Sequence, residues 1–166
     1  MKDYAGWYER ISAPFRGEAA RKLLGYADKA LVALFAIGYV VTLGILAFTR
    51  DAHALRFVLV PATVFVIVTV ARLAIDEPRP YEMFDIDALV RKDTHGKSMP
   101  SRHMASAVAI AFAFAWLNMG LGIAAFACCA AVAFTRIVGG VHFPRDIVAA
   151  TAVAAAIGAV GFFVIP

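Results

Sequence analysis

Several side chains between residues 72 and 146 have the chemistry needed to hold and attack a phosphate group. Arg72, Arg79 and Arg136 supply planar, permanently charged guanidinium forks that match phosphate oxygens. A free imidazole titrates near neutrality, so His103 and His142 are candidates to divide nucleophile and acid work. Asp146 follows His142 by one helical turn, where it can orient and charge-stabilise the imidazole. Ser101 follows Pro100 at a position suited to a helix N-cap, and the helix it opens would turn unpaired N–H groups toward an anion. Taken singly, each has a plain structural explanation. Arg72 can snorkel to a membrane surface, Asp146 suits the first turn of any helix, and Ser101 can simply be a cap. The elements that carry them decide between the readings.

Those elements are set by composition. Apolar residues make up 62% of the 166-residue chain and charged residues 17%, against an apolar share of roughly 45–50% in soluble domains. A single small domain leaves too much surface exposed to hide that much apolar area in water, so the solvent is expected to be lipid. The formal charge of +4 suits anionic head groups. Nucleic acid is not expected as a partner, because no basic stretch with interleaved aromatics occurs. Cys128 and Cys129 are adjacent inside an apolar run and read as packing residues, not as a disulfide framework. The first 29 residues hold no continuous apolar core of the kind a cleavable leader needs.

The expected architecture is all-α, an integral membrane bundle of about five transmembrane helices. A crossing takes about 20 apolar residues. Residues 30–49 and 54–75 each provide one, joined by the polar turn at 50–53. Residues 76–101 contain Pro78, Pro80, Gly96 and Pro100 and read as a loop. The charge-free run 104–135 would make roughly 48 Å of helix, too long for one crossing. Asn118 and Gly120 mark the turn that divides it into spans at 102–118 and 120–138. Gly139 and Gly140 end the fourth span, and Pro144 suits the first turn of the fifth, 145–165. Small residues such as Ala105, Ala109 and Ala113 would let these helices approach closely. Residues 1–29 form a separate amphipathic segment. Tyr4, Trp7, Tyr8, Ile11 and Phe15 fall at helical spacing beside Lys2, Arg10 and Arg16, which suits a helix lying in the interface plane or packed on the protein's own surface.

Five spans have a consequence for the reactive residues. Every second turn lies on one side, so Arg72 and Arg79, then Ser101 and His103, then Arg136, His142 and Asp146 all converge on one membrane face. Ionisable residues in spans are costly and mark function. Their convergence favours a site over a set of separate coincidences.

With these residues in view, the chain resembles the type 2 phosphatidic acid phosphatase family, the lipid phosphate phosphatases. The family's signatures are Lys-x6-Arg-Pro, Pro-Ser-Gly-His and Ser-Arg-x5-His-x3-Asp. Their counterparts are Arg72-x6-Arg79-Pro80, Pro100-Ser101-Arg102-His103, and Thr135-Arg136-x5-His142-x3-Asp146. The resemblance implies that His142 attacks phosphorus and becomes a phosphohistidine, that Asp146 holds its other ring nitrogen, and that His103 protonates the leaving oxygen and later activates water. It also implies that Arg72, Arg79, Ser101 and Arg136 hold the phosphoryl oxygens. No metal and no cofactor is implied. Three positions depart from the signatures: Arg72 stands for Lys, Thr135 for Ser, and Arg102 for Gly. Arg102 would contact a second anionic group, such as the other phosphate of a diphosphate, or else pair with a carboxylate of the loop.

The expected function is therefore hydrolysis of a lipid phosphate of the polyprenyl, phosphatidic acid or phosphatidylglycerophosphate type, with membrane lipids around it. A lipid phosphotransferase, or a membrane protein that binds or transports phosphate without catalysis, are the alternatives. Nothing in the sequence specifies an oligomeric state. The chain would be multi-pass in the cell membrane. The catalytic side carries 14 of the 16 Lys and Arg residues, which places it in the cytoplasm by the positive-inside rule.

Overall fold

A computed structural model describes residues 3–90 and 94–165, so Lys2 of the amphipathic segment lies outside the described residues. Among these residues the fold is entirely helical. In chain order come α1 (Tyr4–Ser12), a 3-10 turn (Ala13–Phe15), α2 (Glu18–Phe48), α3 (His53–Ile75) and the short α4 (Pro80–Met83). After the loop follow α5 (Arg102–Leu117), α6 (Met119–Val138) and α7 (Pro144–Ala159), which runs into a π-helical turn at Val160–Val164. Four helices, starting at Glu18, His53, Met119 and Pro144, are long and apolar enough to cross a membrane. Their outer faces expose Ile37, Val40, Val66, Ile123 and Val148, a belt that lipid would cover.

The fifth helix of the bundle, α5, is shorter at 16 residues and sits at the centre, packed on α3, α6 and α7. Its alanines make this possible. Ala105, Ala109, Ala111 and Ala113 are wholly buried, and their small side chains allow close backbone approach where lipid gives helices no hydrophobic drive to associate. Gly122 of α6 completes the fit: a Cβ there would lie 2.4 Å from Ala115 Cα. Asn118 alone separates α5 from α6, and its side chain caps α6 by accepting the Leu121 N–H at 3.0 Å.

The N-terminal third departs from the sequence expectation at one point and decides between its two readings at another. First, α2 is one helix from Glu18, so the boundary expected at residue 29 falls inside it. Two charges within 18–29 find tertiary partners. Arg21 reaches the loop, donating to Leu89 O, Ala88 O and Asp87 Oδ1 at 2.7–3.1 Å, while Asp28 turns inward. Second, α1 turns its aromatic stripe onto the protein. Tyr4 packs on Phe84 and Phe143, each at 4.9 Å between ring centroids. The Tyr8 hydroxyl donates to Val138 O at 3.0 Å and accepts from Leu89 N at 3.2 Å. Gly140, with φ +74, lies so close that a Cβ would stand 2.7 Å from that hydroxyl.

Candidate active site

The loop between α4 and α5 forms the roof of the site, and Glu82 is its fastener. Its carboxylate accepts the Arg79 N–H at 2.7 Å and the Gly96 N–H at 3.0 Å. Gly96 has φ +59, and a Cβ there would meet Asp76 Oδ1 at 2.7 Å, so this turn requires glycine. Beyond it, Ser98 N donates to Glu77 O at 2.7 Å. The chain then passes Pro100 and enters α5, where Ser101 N donates to Asp146 O at 3.1 Å and joins the start of α5 to the first turn of α7.

That junction surrounds His142, which is 2% exposed in the short turn between α6 and α7. Pro144 opens α7 and places Asp146, wholly buried, in its first turn. Asp146 Oδ2 accepts from Ser98 Oγ at 2.5 Å and from Phe143 N at 3.0 Å, and lies 3.3 Å from His142 Nδ1. Ser98 Oγ is also 3.4 Å from that nitrogen. A carboxylate accepts only, so these contacts select the tautomer with the proton on Nδ1 and leave the Nε2 lone pair for attack. Burial pushes the His142 imidazole down to about 4, and Arg79 and Arg136 push the same way while Asp146 opposes them. A neutral ring follows at physiological pH.

The three arginines are buried around this pair. Arg72 uses Nη1 on Pro100 O at 2.7 Å and Ser98 O at 3.3 Å. Arg79 donates to Gly96 O and Val141 O, both at 3.2 Å. Arg136 Nε stands 3.0 Å from Asp28 Oδ1, which also accepts from Thr135 Oγ1 at 3.2 Å. The Arg136 contact is a close ion pair without the alignment of a hydrogen bond, and both Nε and Nη1 remain without a hydrogen-bond partner. The Ser101 hydroxyl is likewise buried and unpartnered, and it makes no cap bond. Among the described residues, three buried guanidinium groups face two buried carboxylates, Asp28 and Asp146. Three minus two leaves one cation uncompensated. Buried charge is costly unless paired, so an anion would be welcome here.

His103 is partly buried in the first turn of α5 and shares a cavity of about 560 Å³ with Arg136, Asp28 and Leu89. The structure thus brings His103 and Arg136 to one chamber, while Arg136 and Arg79 also lie close enough to His142 to act on its charge; His142, Asp146, Arg72 and Arg79 are not among the residues lining that chamber. Arg102 stands apart. It is exposed, with its guanidinium 5.8 Å from the Phe65 ring on α3, and no ion pair joins it to a carboxylate among the described residues. Asp93, one of the loop carboxylates it could meet, lies outside the described residues, so both expected roles stand open.

Two further residues belong to the site and were not among those singled out by sequence. Ser98 bonds to Asp146, and no local pattern in the loop distinguishes it from an ordinary turn serine. Asp28 did leave a signal. It lies four residues after Leu24 and seven before Phe35, on the buried stripe of α2, and a carboxylate on an apolar stripe asks for a partner.

Helices long enough to span a bilayer, a roofed histidine–carboxylate pair and an excess of buried arginine define a membrane protein with an anion-handling site. Residues 53–165 match the PAP2 superfamily, a stretch that holds all eight residues singled out above, and the chain belongs to that family. Among solved structures it is similar to LpxE of Aquifex aeolicus, with a TM-score of 0.72 and 22% identity over 94% of this chain and 92% of that one. It is also similar to a transmembrane PAP2-type phosphatidylglycerolphosphate phosphatase from Bacillus subtilis, with a TM-score of 0.60 and 19% identity over 93% and 90% of the two chains. Both likenesses concern the fold. No match is found among curated proteins.

Proposed function

We propose that the protein hydrolyses a phosphate ester or phosphoanhydride of a membrane lipid through a phosphohistidine at His142. The observation that carries this reading is the buried positive excess beside a neutral, tautomer-fixed imidazole. Phosphate supplies the missing negative charge, and His142 Nε2 supplies the electron pair. One solved structure of similar fold is named as a transmembrane PAP2-type phosphatidylglycerolphosphate phosphatase, which agrees with the reading.

The residues divide the steps as follows. The phosphoryl group sits among Arg72, Arg79, Arg136 and the Ser101 hydroxyl, where their donors meet the oxygens on which charge builds. Nε2 of His142 bonds to phosphorus as the bond to the leaving oxygen breaks, and His103 gives that oxygen its proton. The ring becomes cationic, and Asp146 stabilises it through Nδ1–H. Water then attacks phosphorus, His103 takes its proton, and the P–N bond breaks to return neutral His142 and free phosphate. No part of this sequence draws on a metal.

The deciding assay compares phosphate release from lipid phosphates in detergent or nanodiscs by wild type and His142→Ala. Abolished release in the variant supports the reading. Equal release from both proteins removes the mechanism and favours a phosphate-binding or transport role. We also propose that the active face is cytoplasmic, because ten Lys and Arg residues remain there against two opposite when Arg72, Arg79, Arg102 and Arg136 are set aside. Labelling of a cysteine introduced in the 94–97 turn by a membrane-impermeant thiol reagent in intact cells would contradict that orientation.

A further inference from the structure

The inner face of α2 is loosely seated along most of its length, and three cavities follow it. The first is the chamber of Asp28, Arg136 and His103. A second, of about 350 Å³, continues from His103 between α2, α3 and α5 and shares Val32 and Ala36 with the first. A third, of about 280 Å³, lies further along α2 toward the opposite membrane face, beside Gly38, Thr42 and Phe114. One side chain, Phe35, walls both the second and the third. It is 7% exposed and packs into the core made by α5 and α6, so its ring is the partition between them. The helix rises about 10 Å from Asp28 to Phe35, and about 10 Å more from Phe35 to Thr42.

The two ends of this crevice call for one kind of occupant. At the polar end stand Arg136, His103 and Lys29. Past Ser106 the walls are aliphatic and aromatic. Water has few partners there, and an unfilled space forfeits the dispersion contacts of its lining. Phe65, exposed at the edge of the second cavity, marks where the crevice opens to lipid between α2 and α3. An amphiphile with a phosphate head and a hydrocarbon tail complements both ends at once.

We infer that the crevice behind α2 receives the tail of the phosphate-bearing lipid, and that Phe35 sets the length of tail it accepts. This rests on the lipid phosphatase reading above. The tail runs from the arginine-lined chamber to the Phe35 ring. Longer tails must bend out between α2 and α3, whereas removing the ring joins the second and third cavities into one straight path.

The test is competition between octyl phosphate and hexadecyl phosphate at equal mole fraction in nanodiscs. Phe35→Ala is expected to raise the hexadecyl-to-octyl ratio of kcat/KM by about tenfold, and Phe35→Trp to lower it by a few-fold. Phe35→Leu, which keeps more of the core filled, is expected to shift the ratio the same way as Phe35→Ala by a smaller factor. Turnover of tail-less phenyl phosphate should stay unchanged in all three, and Ile37→Ala, on the lipid-facing side, should leave the ratio unchanged. An unaltered ratio in folded, active Phe35 variants overturns the inference while leaving the phosphatase reading intact. A second readout does not need turnover. Hexadecyl phosphate with a photoreactive terminal carbon is expected to label segment 38–42 or 121–128 in Phe35→Ala and not in wild type, also in a His142→Ala background. The same labelling in both proteins, or none in either, overturns the tail site directly.

Discussion

The two sides of the active site are built on different plans. On the α7 side, His142, Asp146 and Ser98 are sealed from solvent and tied together at 2.5–3.4 Å. On the α2 side, Arg136 and Asp28 meet in a single ion pair, His103 is only partly buried, and a chamber of about 560 Å³ opens beside them. The first arrangement fixes a tautomer and holds a ring still, which is what a nucleophile needs. The second leaves unpaired donors and space, which is what an arriving anion needs. Rigidity is spent where the bond forms, and looseness is kept where the substrate comes in.

If that division holds, substitutions on the α7 side should damage rate and those on the α2 side should damage stability and binding. The largest effect is expected from Asp146→Asn, which presents an amide to Nδ1 and upsets the tautomer. A loss of about 10³–10⁴ in kcat with little change in KM is expected, read from initial rates on a lipid phosphate. A comparable loss through KM alone would break the comparison.

Asp28→Ala leaves Arg136, which is 1% exposed, without its carboxylate. A stability loss of about 3–5 kcal/mol is expected, measured as an early transition in a denaturant or thermal scan of the detergent-solubilised protein. Adding Arg136→Met should restore much of that stability without restoring activity. Recovery of both would reduce Arg136 to a structural residue.

Ser98→Ala removes a hydrogen bond to Asp146 and leaves the fold's apolar core untouched, so about a tenfold loss in kcat is expected with an unchanged melting profile. Unaltered kinetics would remove Ser98 from the α7 side.

A further effect, read in stability and not in rate, is a pH dependence. His142 is held near 4 by burial, below its ordinary 6.5. Between those values the unfolded chain binds a proton that the folded chain does not. The stabilisation is therefore intact above 6.5, falls as pH drops through that value, and levels off below 4. At about pH 5 the loss amounts to roughly 2 kcal/mol, visible as a lower apparent Tm for wild type that is reduced in His142→Gln.

The membrane bundle was legible because lipid imposes simple rules. Long uncharged runs, the Asn118 break, the paired Gly139 and Gly140, and Pro144 all bear on one quantity, the length of apolar helix between polar interruptions. The candidate site residues stood out in the sequence because arginine, histidine and aspartate are costly near lipid. What sequence could not show was satisfaction at a distance. Arg21 and Asp28 fell inside the segment set apart from the bundle, their partners, Asp87 and Arg136, lie far along the chain, and the start of α2 was hidden with them. Ser98 was hidden for a different reason: only the folded loop brings its hydroxyl to Asp146. For Arg102 the sequence left two roles, and the structure places the residue at the rim over Phe65 without deciding between them.

The central claim is a covalent bond between His142 and phosphorus. Its most direct test is rapid alkaline quenching after mixing the protein with a radiolabelled lipid phosphate, followed by peptide mapping of the acid-labile, base-stable label. The account predicts label on the peptide containing His142, formed within one turnover, accumulating when His103→Asn slows its hydrolysis, and absent from His142→Ala. Full phosphate release by wild type with no trapped label at His142 under either condition, or label fixed on another residue, would contradict it.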